Sequence, residues 1–283
     1  MQNTVAALGT FDGVHTGHSA VLQSALQYKN LTPICLSFIG TPKNALGIKT
    51  PLLLTDEQRV EKIKQMGFRQ VVLFDFAEVR GLDPVAFLDK IRKEYGISAF
   101  CCGFNYRFGA GGAGDTALLK NYCEENGLLL TVTDAVAVDG VTVSSTEIRS
   151  RISEGNIREA NALLGYPFFV EGVIVHGFKR GRTIGFPTIN QDIGKELCCP
   201  RYGVYVSSVT VEGKQYKGLT NIGDNPTFDL PTPKAETYIH KFSGDIYGKH
   251  AKVELLDFVR PEIRFKSAEQ LKAQIDLDLK TIL

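Results

Sequence analysis

The first half of the chain alternates short apolar runs with segments whose apolar residues recur every three or four positions. The apolar runs predict strands over residues 5–8, 33–38, 70–74, 99–102 and 128–132. The periodic segments predict helices over residues 19–28, 55–66, 84–95 and 116–126. Strand–helix alternation of this kind is typical of a parallel sheet covered by helices, so we expect an α/β domain here.

The pattern changes after residue 165, where no helical pattern separates the apolar runs. These runs predict strands over residues 168–175, 203–211, 215–222, 236–242 and 251–258. Glu212 and Gly213 are typical of a hairpin loop between two of them. We therefore expect an antiparallel barrel or sandwich. A final helix is predicted over residues 267–282, with Ser267 and Gln270 as a capping box.

The two halves meet in residues 146–164, which show a helical pattern with a break at Gly155 and Asn156. Gly165 and Pro167 end this pattern. No low-complexity linker is present, so we expect packed helices between two domains, one of residues 1–165 and one of residues 166–283.

Composition excludes several classes of protein. A formal net charge of +1 over 283 residues implies no general attraction to nucleic acid or to a membrane surface. No apolar stretch approaches the roughly 20 residues of a membrane span. The 6 cysteines include two adjacent pairs and no CxxC spacing, which argues against a zinc site. The first apolar run is too short for a signal peptide, so we expect free thiols in a cytoplasmic protein.

The segment GTFDGVHTGHSAVL, residues 9–22, follows the first predicted strand. Ligands of α/β domains bind at the carboxyl ends of the strands, where glycines let the backbone approach a phosphate. The segment matches neither a Walker A loop nor GxGxxG. His15 and His18 share a face of the first helical turn, where two imidazoles can donate hydrogen bonds to a reacting phosphate. Alternatively, one histidine caps the turn and the other is exposed.

Two further segments of the first half carry candidate chemistry. GFNYRFGAGGAGD, residues 103–115, is glycine-rich and follows a predicted strand, which is also compatible with a plain surface loop. VSSTEIR, residues 143–149, starts a helix, because Ser144 and Glu147 have capping-box spacing. Hydroxyl groups at this helix start and Arg149 one turn later suit an anion, although an ordinary cap with a solvated arginine is the alternative.

The second half contains GFKRGRTIGFPTIN, residues 177–190, in which glycines surround three cationic side chains. A run of charges is usually a solvated surface. Here it is followed by the oxygen donors Thr188 and Asn190, and this combination suits a phosphate and a Mg²⁺ ion.

The pattern GxFDGxHxGH resembles the signature of the nucleotidylyltransferase module in prokaryotic bifunctional riboflavin kinase/FAD synthetases. The segments at 103–115 and 143–149 are similar to later motifs of that module. Residues 187–190 resemble the PTAN motif of riboflavin kinases, with Ile189 in place of the usual alanine. Residues 221–228, 236–242 and 260–271 resemble further segments in the family's order, so the resemblance covers nearly the whole chain.

The resemblance implies a Rossmann-like nucleotidylyltransferase domain followed by a riboflavin kinase-like antiparallel β-barrel with a closing helix. The barrel would phosphorylate riboflavin with ATP to give FMN. The first domain would transfer AMP from a second ATP to FMN, giving FAD and pyrophosphate. Mg²⁺ is the implied cofactor of both reactions, and the implied partners are the small-molecule substrates ATP and flavins.

The resemblance also assigns roles to individual residues. The implied catalytic residues are Glu236, as the base that takes the proton of the riboflavin 5′-hydroxyl, and His15, His18 and Arg149 in AMP transfer. The implied ATP and phosphate contacts are Gly9, Phe11, Gly17, Ser145, Thr146, Gly177, Lys179 and Arg182. The implied flavin contacts are Asn105, Phe186 and Asn221, and the implied Mg²⁺ ligands are Thr188 and Asn190.

Two departures from the family pattern affect AMP transfer. The family has about a dozen residues before its first strand, whereas this chain starts almost in that strand. In addition, Thr41 stands where the family's FxPHP segment has a histidine. One alternative is therefore a monofunctional riboflavin kinase with an impaired first domain. A second alternative is a non-enzymatic flavin-binding regulator, but Thr188, Asn190 and Glu236 oppose it because simple flavin binding needs no metal site beside a base.

Overall fold

Five predicted strands of the first half pair in parallel, in the order β3-β2-β1-β4-β5. The structure is a computed structural model that describes residues 3–176, 186–224 and 233–282. The strands are β1 (Thr4–Leu8), β2 (Thr32–Phe38), β3 (Gln70–Phe74), β4 (Ile97–Gly103) and β5 (Leu129–Thr133). Strand order reverses at β1, which pairs with both β2 and β4, and doubly wound sheets bind ligands beyond the carboxyl ends of the strands at such a point.

Helices cover the sheet in this half. They are α1 (Thr16–Leu26), α2 (Pro42–Ala45), α3 (Asp56–Gln65), α4 (Phe76–Val79), α5 (Pro84–Tyr95) and α6 (Thr116–Asn126). The start of α3 is a complete capping box: Thr55 Oγ1 accepts from the Gln58 amide at 3.2 Å, and Gln58 Oε1 accepts from the Thr55 amide at 3.0 Å. Phe87, Leu88 and Ile91 of α5 are buried against the strands, so the α/β expectation is confirmed.

The connection between the halves contains a hairpin, β6 (Ala137–Val138) and β7 (Val141–Thr142), and then α7 (Ser145–Glu154) and α8 (Ile157–Leu164). The predicted helix break is confirmed, because Gly155 has a φ of 86° between α7 and α8. Internal contacts divide the chain into two units, Met1–Ser145 and Thr146–Leu283. This division groups α8, and α7 from Thr146 onward, with the second unit, and the domain boundary at residue 165 stays a prediction.

The second unit contains six antiparallel strands in the order β8-β13-β10-β11-β12-β9. They are β8 (Phe169–Val173), β9 (Thr188–Asp192), β10 (Gly203–Val211), β11 (Lys214–Asp224), β12 (Pro233–Ile239) and β13 (His250–Arg260). The two edge strands approach each other, because the Val175 amide donates to the Asn190 carbonyl at 2.8 Å. The side-chain Nε2 of Gln191 also donates to the Gly172 carbonyl at 3.0 Å. The sheet is therefore a nearly closed barrel, as expected.

Strand β9 was missed by the sequence pattern, because its residues are mostly polar and form no apolar run. The closing helix is α9 (Ala268–Leu279). Ser267 Oγ accepts from the Gln270 amide at 3.4 Å, but Gln270 Oε1 accepts from the Lys266 amide at 3.1 Å. The predicted capping box is therefore only half formed, since the returning bond reaches one residue too far upstream.

Candidate active sites

The loop after β1 carries the two histidines on an unusual backbone; we call residues 9–18 the histidine loop. Phe11 and Val14 have φ values of 52° and 37°, which side chains with a Cβ atom rarely adopt. Gly13 has a φ of 87°, and a Cβ there would lie 2.6 Å from Leu53 Cδ1. Such backbone conformations are typical of functional sites, where the surrounding structure holds them.

His15 is the N-cap of α1, and its side chain therefore has a fixed orientation. Its Nδ1 accepts a hydrogen bond from the His18 backbone amide at 3.2 Å. Because Nδ1 is the acceptor, the neutral ring carries its proton on Nε2, which is then a donor. His15 is 5% exposed, and its ring stacks on the ring of His18 with centroids 3.5 Å apart. A Cβ at Gly17 would lie 3.3 Å from the His15 ring, which explains a glycine there.

His18 lies between the rings of His15 and Phe11, with the Phe11 centroid 5.4 Å away. Its Nδ1 is buried and has no hydrogen-bond partner among the described residues. Burial, the neighbouring His15 and the charge of Arg59 lower the pKa of His18 well below its usual value. His18 is therefore neutral near pH 7. One alternative was that one histidine caps the turn and the other is exposed. His15 does cap the turn, but His18 is partly buried rather than exposed.

Other predicted residues of the first unit lie at the same edge of the sheet. Asn105 follows β4 and is exposed, and Gly9 packs closely against the ring of Phe11, which is itself buried. Ser145 Oγ donates to the carbonyl of Asp12 at 3.0 Å, which joins the start of α7 to the histidine loop. Thr146 and Arg149 lie in the first turns of α7 and belong to the second unit.

Thr41 caps a short helix. Its Oγ1 accepts from the Asn44 amide at 3.2 Å at the start of α2, and the residue is buried. The hydroxyl can still donate one hydrogen bond. The sequence comparison with FxPHP did not indicate this capping role.

Sequence reasoning missed Arg59, which lies in α3 and is 1% exposed. An arginine in the middle of a polar helix is usually on the surface, so its burial has no local signal. The available signal was Asp56, because its spacing of three residues allows an ion pair with Arg59 on a helix. In the structure, Asp56 Oδ1 lies 2.6 Å from Arg59 Nη2.

In the second unit, the strand register brings predicted residues into one line across the barrel. Asn221 of β11 pairs with Glu236 of β12, and Glu236 pairs with Asn190 of β9. Residues paired across antiparallel strands point to the same face, so these three form what we call the Glu236 row. Thr188 lies two residues before Asn190 and therefore shares that face.

Glu236 and Thr188 are in direct contact. Thr188 Oγ1 donates to Glu236 Oε1 at 2.7 Å, and the carboxylate is otherwise exposed to solvent. The bond orients one carboxylate oxygen of this exposed residue. A carboxylate held in this way can accept a proton from a bound hydroxyl group.

A cavity of about 310 Å³ opens beside the Glu236 row. Phe186, Asn221 and Glu236 line it, together with apolar side chains from α9 and the preceding loop, among them Phe265 and Leu271. This volume and the mostly apolar lining suit a flat aromatic ligand with a few polar groups.

Arg260 and Asp278 close one side of this cavity, and neither was predicted. Arg260 Nη2 lies 2.7 Å from Asp278 Oδ2, and Asp278 is buried. The pair fixes α9 to the end of β13. The sequence carries no signal for it, because 18 residues separate the partners.

The predicted phosphate residues Gly177, Lys179 and Arg182 lie outside the described residues. Within the described ranges, no cluster of three His, Cys, Asp or Glu residues could hold a metal ion. In the same ranges, no helix is long and apolar enough to cross a membrane.

Two family models match this chain, one over the parallel-sheet part and one over the barrel. Residues 1–147 match the family model described as FAD synthetase. Residues 164–283 match the family model described as riboflavin kinase. Together the two models span both the parallel sheet and the barrel.

Curated relatives match over almost their whole length. The bifunctional riboflavin kinase/FMN adenylyltransferase of Listeria monocytogenes is 37% identical, over 98% of this chain and 90% of the relative. The enzyme of the same description from Escherichia coli K12 is 35% identical, over 98% of this chain and 91% of the relative.

One solved structure has nearly the same fold throughout. It is a crystal structure described as a macrolide-efflux protein from Streptococcus pneumoniae, with a TM-score of 0.91 and 32% identity. The match covers 99% of this chain and 94% of that chain. Its description differs from those of the curated relatives, although the likeness in fold extends over both units.

Proposed function

Because the chain belongs to the family of bifunctional riboflavin kinase/FMN adenylyltransferases, we propose how its residues divide the two reactions. The chain phosphorylates riboflavin with ATP to FMN, and it transfers AMP from ATP to FMN to give FAD and pyrophosphate. In our proposal the barrel catalyses the first reaction and the parallel-sheet unit catalyses the second. Both are in-line transfers, in which positioning and charge neutralisation supply most of the catalysis.

Glu236 is the general base of the kinase reaction in this proposal. The observation that carries the assignment is the 2.7 Å hydrogen bond from Thr188 Oγ1 to Glu236 Oε1 beside an apolar cavity. Riboflavin would occupy the cavity, with Phe186 and Asn221 among its contacts and its 5′-hydroxyl near the carboxylate. Glu236 would accept the hydroxyl proton as the oxygen attacks the γ-phosphate of ATP.

Mg²⁺ is the proposed metal of the kinase site. The hydroxyl of Thr188 and the amide oxygen of Asn190 share one face of β9, and neutral oxygen donors combined with substrate phosphates are typical of Mg²⁺ sites. The ion would neutralise charge on the transferred phosphate. Gly177, Lys179 and Arg182 are proposed phosphate contacts on the resemblance alone.

In AMP transfer, the histidine loop is proposed to bind the phosphates of ATP. His15 can donate from Nε2, since its Nδ1 is occupied by the α1 cap. His18 would act as a neutral donor to charge that grows on the phosphate. Gly9, Phe11 and Gly17 shape this loop. Ser145, which is bonded to the Asp12 carbonyl of the loop, would add a phosphate contact, and Asn105 would contact the flavin. Thr146 and Arg149 are proposed phosphate contacts on the resemblance alone.

The two alternatives are not favoured. A monofunctional kinase would not need the strained histidine loop, which is fully formed here. A flavin-binding regulator would not need Thr188 beside Glu236. The test is incubation with riboflavin, ATP and Mg²⁺ followed by chromatography. We expect FMN first and then FAD; a mixture that yields FMN and no FAD would restore the monofunctional alternative.

A fragment of residues 156–283 should fold and make FMN without making FAD. It should also be more stable than a fragment of residues 166–283, because α8 packs on the barrel. Asn161 Nδ2 donates to the Leu255 carbonyl at 2.9 Å, and Ile157, Leu163 and Leu164 are buried. Burial of each such side chain stabilises a fold by about 1.5–3 kcal/mol, and the shorter fragment lacks this contribution. Urea unfolding and FMN formation by both fragments provide the measurement.

An insoluble 156–283 fragment would contradict the assignment of the kinase to this region. So would a soluble fragment that binds riboflavin without phosphorylating it. Equal stability of the two fragments would show that α8 is not part of the kinase fold.

Thr41→His should raise the rate of FAD formation by about tenfold or less, because a charge-assisted hydrogen bond is roughly twice as strong as a neutral one. A protonated imidazole has no acceptor nitrogen, so the substitution gives up the hydrogen bond that Thr41 Oγ1 accepts from the Asn44 amide at the start of α2. Conversion of FMN to FAD with excess ATP is the assay. A slower Thr41→His enzyme would show that residue 41 has only its capping role.

A further inference from the structure

Arg59 makes an unusual set of contacts for a helical arginine. Its Nη1 donates to the carbonyl of Thr10 at 2.7 Å and to the carbonyl of Gly40 at 3.0 Å. Its Nη2 donates to the carbonyl of Phe38 and, at 2.6 Å, to Oδ1 of Asp56. One buried guanidinium group therefore binds three backbone carbonyls and a carboxylate.

These carbonyls belong to two loops that follow neighbouring strands. Thr10 lies in the histidine loop after β1, whereas Phe38 and Gly40 lie at the end of β2 and just after it. Asp56 strengthens the connection, because both of its oxygens accept from the Gly40 amide at 3.0 Å. Ser37 Oγ also donates to the Thr10 carbonyl at 2.9 Å. The loops are thus joined through a side chain that comes from a third element, α3.

We infer that Arg59 is a positioning residue for AMP transfer: it holds the histidine loop and the loop after β2 in register so that His15 and His18 point at the same phosphate. This inference rests on the proposed role of the histidine loop. Arg59 itself is buried beneath the loops and is not placed in contact with substrate.

The geometry requires a guanidinium group rather than a simple cation. Arginine has five donors in a fixed plane, and Arg59 directs its two terminal nitrogens to oxygens on both loops. A lysine ammonium is a point charge at the end of a flexible chain and cannot reproduce this arrangement. Burial lowers the pKa of Arg59, with Asp56 and Asp12 opposing the shift. A buried charge costs free energy, and the hydrogen bonds of the guanidinium group together with its ion pair to Asp56 offset this cost.

The backbone of the histidine loop needs such external support. Phe11 and Val14 have positive φ values directly after the Thr10 carbonyl that Arg59 binds. Strained conformations persist only where the surrounding structure determines them. Without Arg59, we expect the loop to relax and the two imidazoles to lose their common direction.

The experiment compares Arg59→Met and Arg59→Lys with the wild-type enzyme. Lys64→Met is the matched control, because it removes an exposed cation from the same helix. Conversion of FMN to FAD is measured as kcat and KM for ATP, and phosphorylation of riboflavin by the second unit is measured in the same preparations. The number of ATP sites is counted by calorimetric titration, so that loss of folded protein is distinguished from loss of catalysis.

Arg59→Met should lower kcat for FAD formation by about 10- to 100-fold, since misplacement by about 1 Å can cost 10²-fold. The KM for ATP should change less, the number of ATP sites should equal that of the wild type, and the FMN-forming rate should be unchanged. Arg59→Lys should recover part of the loss, and Lys64→Met should match the wild type.

Three results would overturn the inference. An Arg59→Met enzyme at the wild-type rate would show that the loops need no external support. An Arg59→Lys enzyme at the wild-type rate would show that charge alone suffices. If the rate falls only in proportion to the number of ATP sites, the variant has lost folded protein, and Arg59 has a structural role rather than a positioning role. Failure of the underlying proposal is separate, because it would appear as an undiminished rate in His18→Ala.

Discussion

Glu236→Gln should nearly abolish FMN formation while FMN is still converted to FAD. Glutamine has the size of glutamate and can still accept the hydrogen bond from Thr188 through its amide oxygen, so the barrel should keep its structure. It cannot take the proton of the riboflavin 5′-hydroxyl. Removing a general base typically costs roughly 10²–10⁴-fold in rate.

The measurement is chromatographic separation of flavins after incubation with riboflavin, ATP and Mg²⁺, with a parallel incubation that starts from FMN. Glu254→Gln is the matched control, because Glu254 is a strand carboxylate of the same barrel that pairs with Lys252 at 2.8 Å. The control should keep the wild-type rate of FMN formation. A Glu236→Gln enzyme that phosphorylates riboflavin at the wild-type rate would show that the base is another group.

His18→Ala should have the opposite effect, so that FMN accumulates and FAD formation falls on the order of 10²–10³-fold. The ring would be lost from the proposed phosphate site. The backbone amide of residue 18 still donates to His15 Nδ1, so the start of α1 is preserved. His18 Nδ1 makes no hydrogen bond within the described residues, so truncation leaves no partner of that atom unsatisfied.

Both rates are followed in one preparation of the His18→Ala enzyme, since the proposal assigns the two reactions to different units. His250→Ala, at an exposed histidine of the barrel, is the control and should change neither rate. Equal losses of FMN and FAD formation in His18→Ala would indicate misfolding or shared chemistry, and the two-site proposal would then fail.

Strong local patterns made much of the fold predictable. The predicted ranges 70–74, 84–95, 116–126 and 203–211 coincide with β3, α5, α6 and β10. Each of these elements has a clear apolar period or a marked end, such as Pro84 at the start of α5 and Gly96 in a left-handed conformation at its end. β9 has neither, because Ile189 is its one strongly apolar residue.

The candidate residues were predictable to a different extent in the two sites. Glycine spacing and the two histidines identified the histidine loop as a candidate, because the residues of a short motif are close in the chain and therefore close in the structure. Arg59 and Asp278 were missed, since charged residues in polar helices are normally exposed. Their burial depends on partners far along the chain, which no local pattern contains.

By itself, the sequence determined the change from a parallel to an antiparallel sheet, the helical junction, and which short segments are candidates for binding phosphates. These properties depend on hydrophobic period and on neighbouring residues, so the order of amino acids is sufficient for them. The tertiary structure alone decided that Asn221, Glu236 and Asn190 stand in one row, because register is set by pairing between distant strands. It also decided the proton position on His15 and the burial of Arg59, since each depends on which backbone groups the fold brings within hydrogen-bond distance.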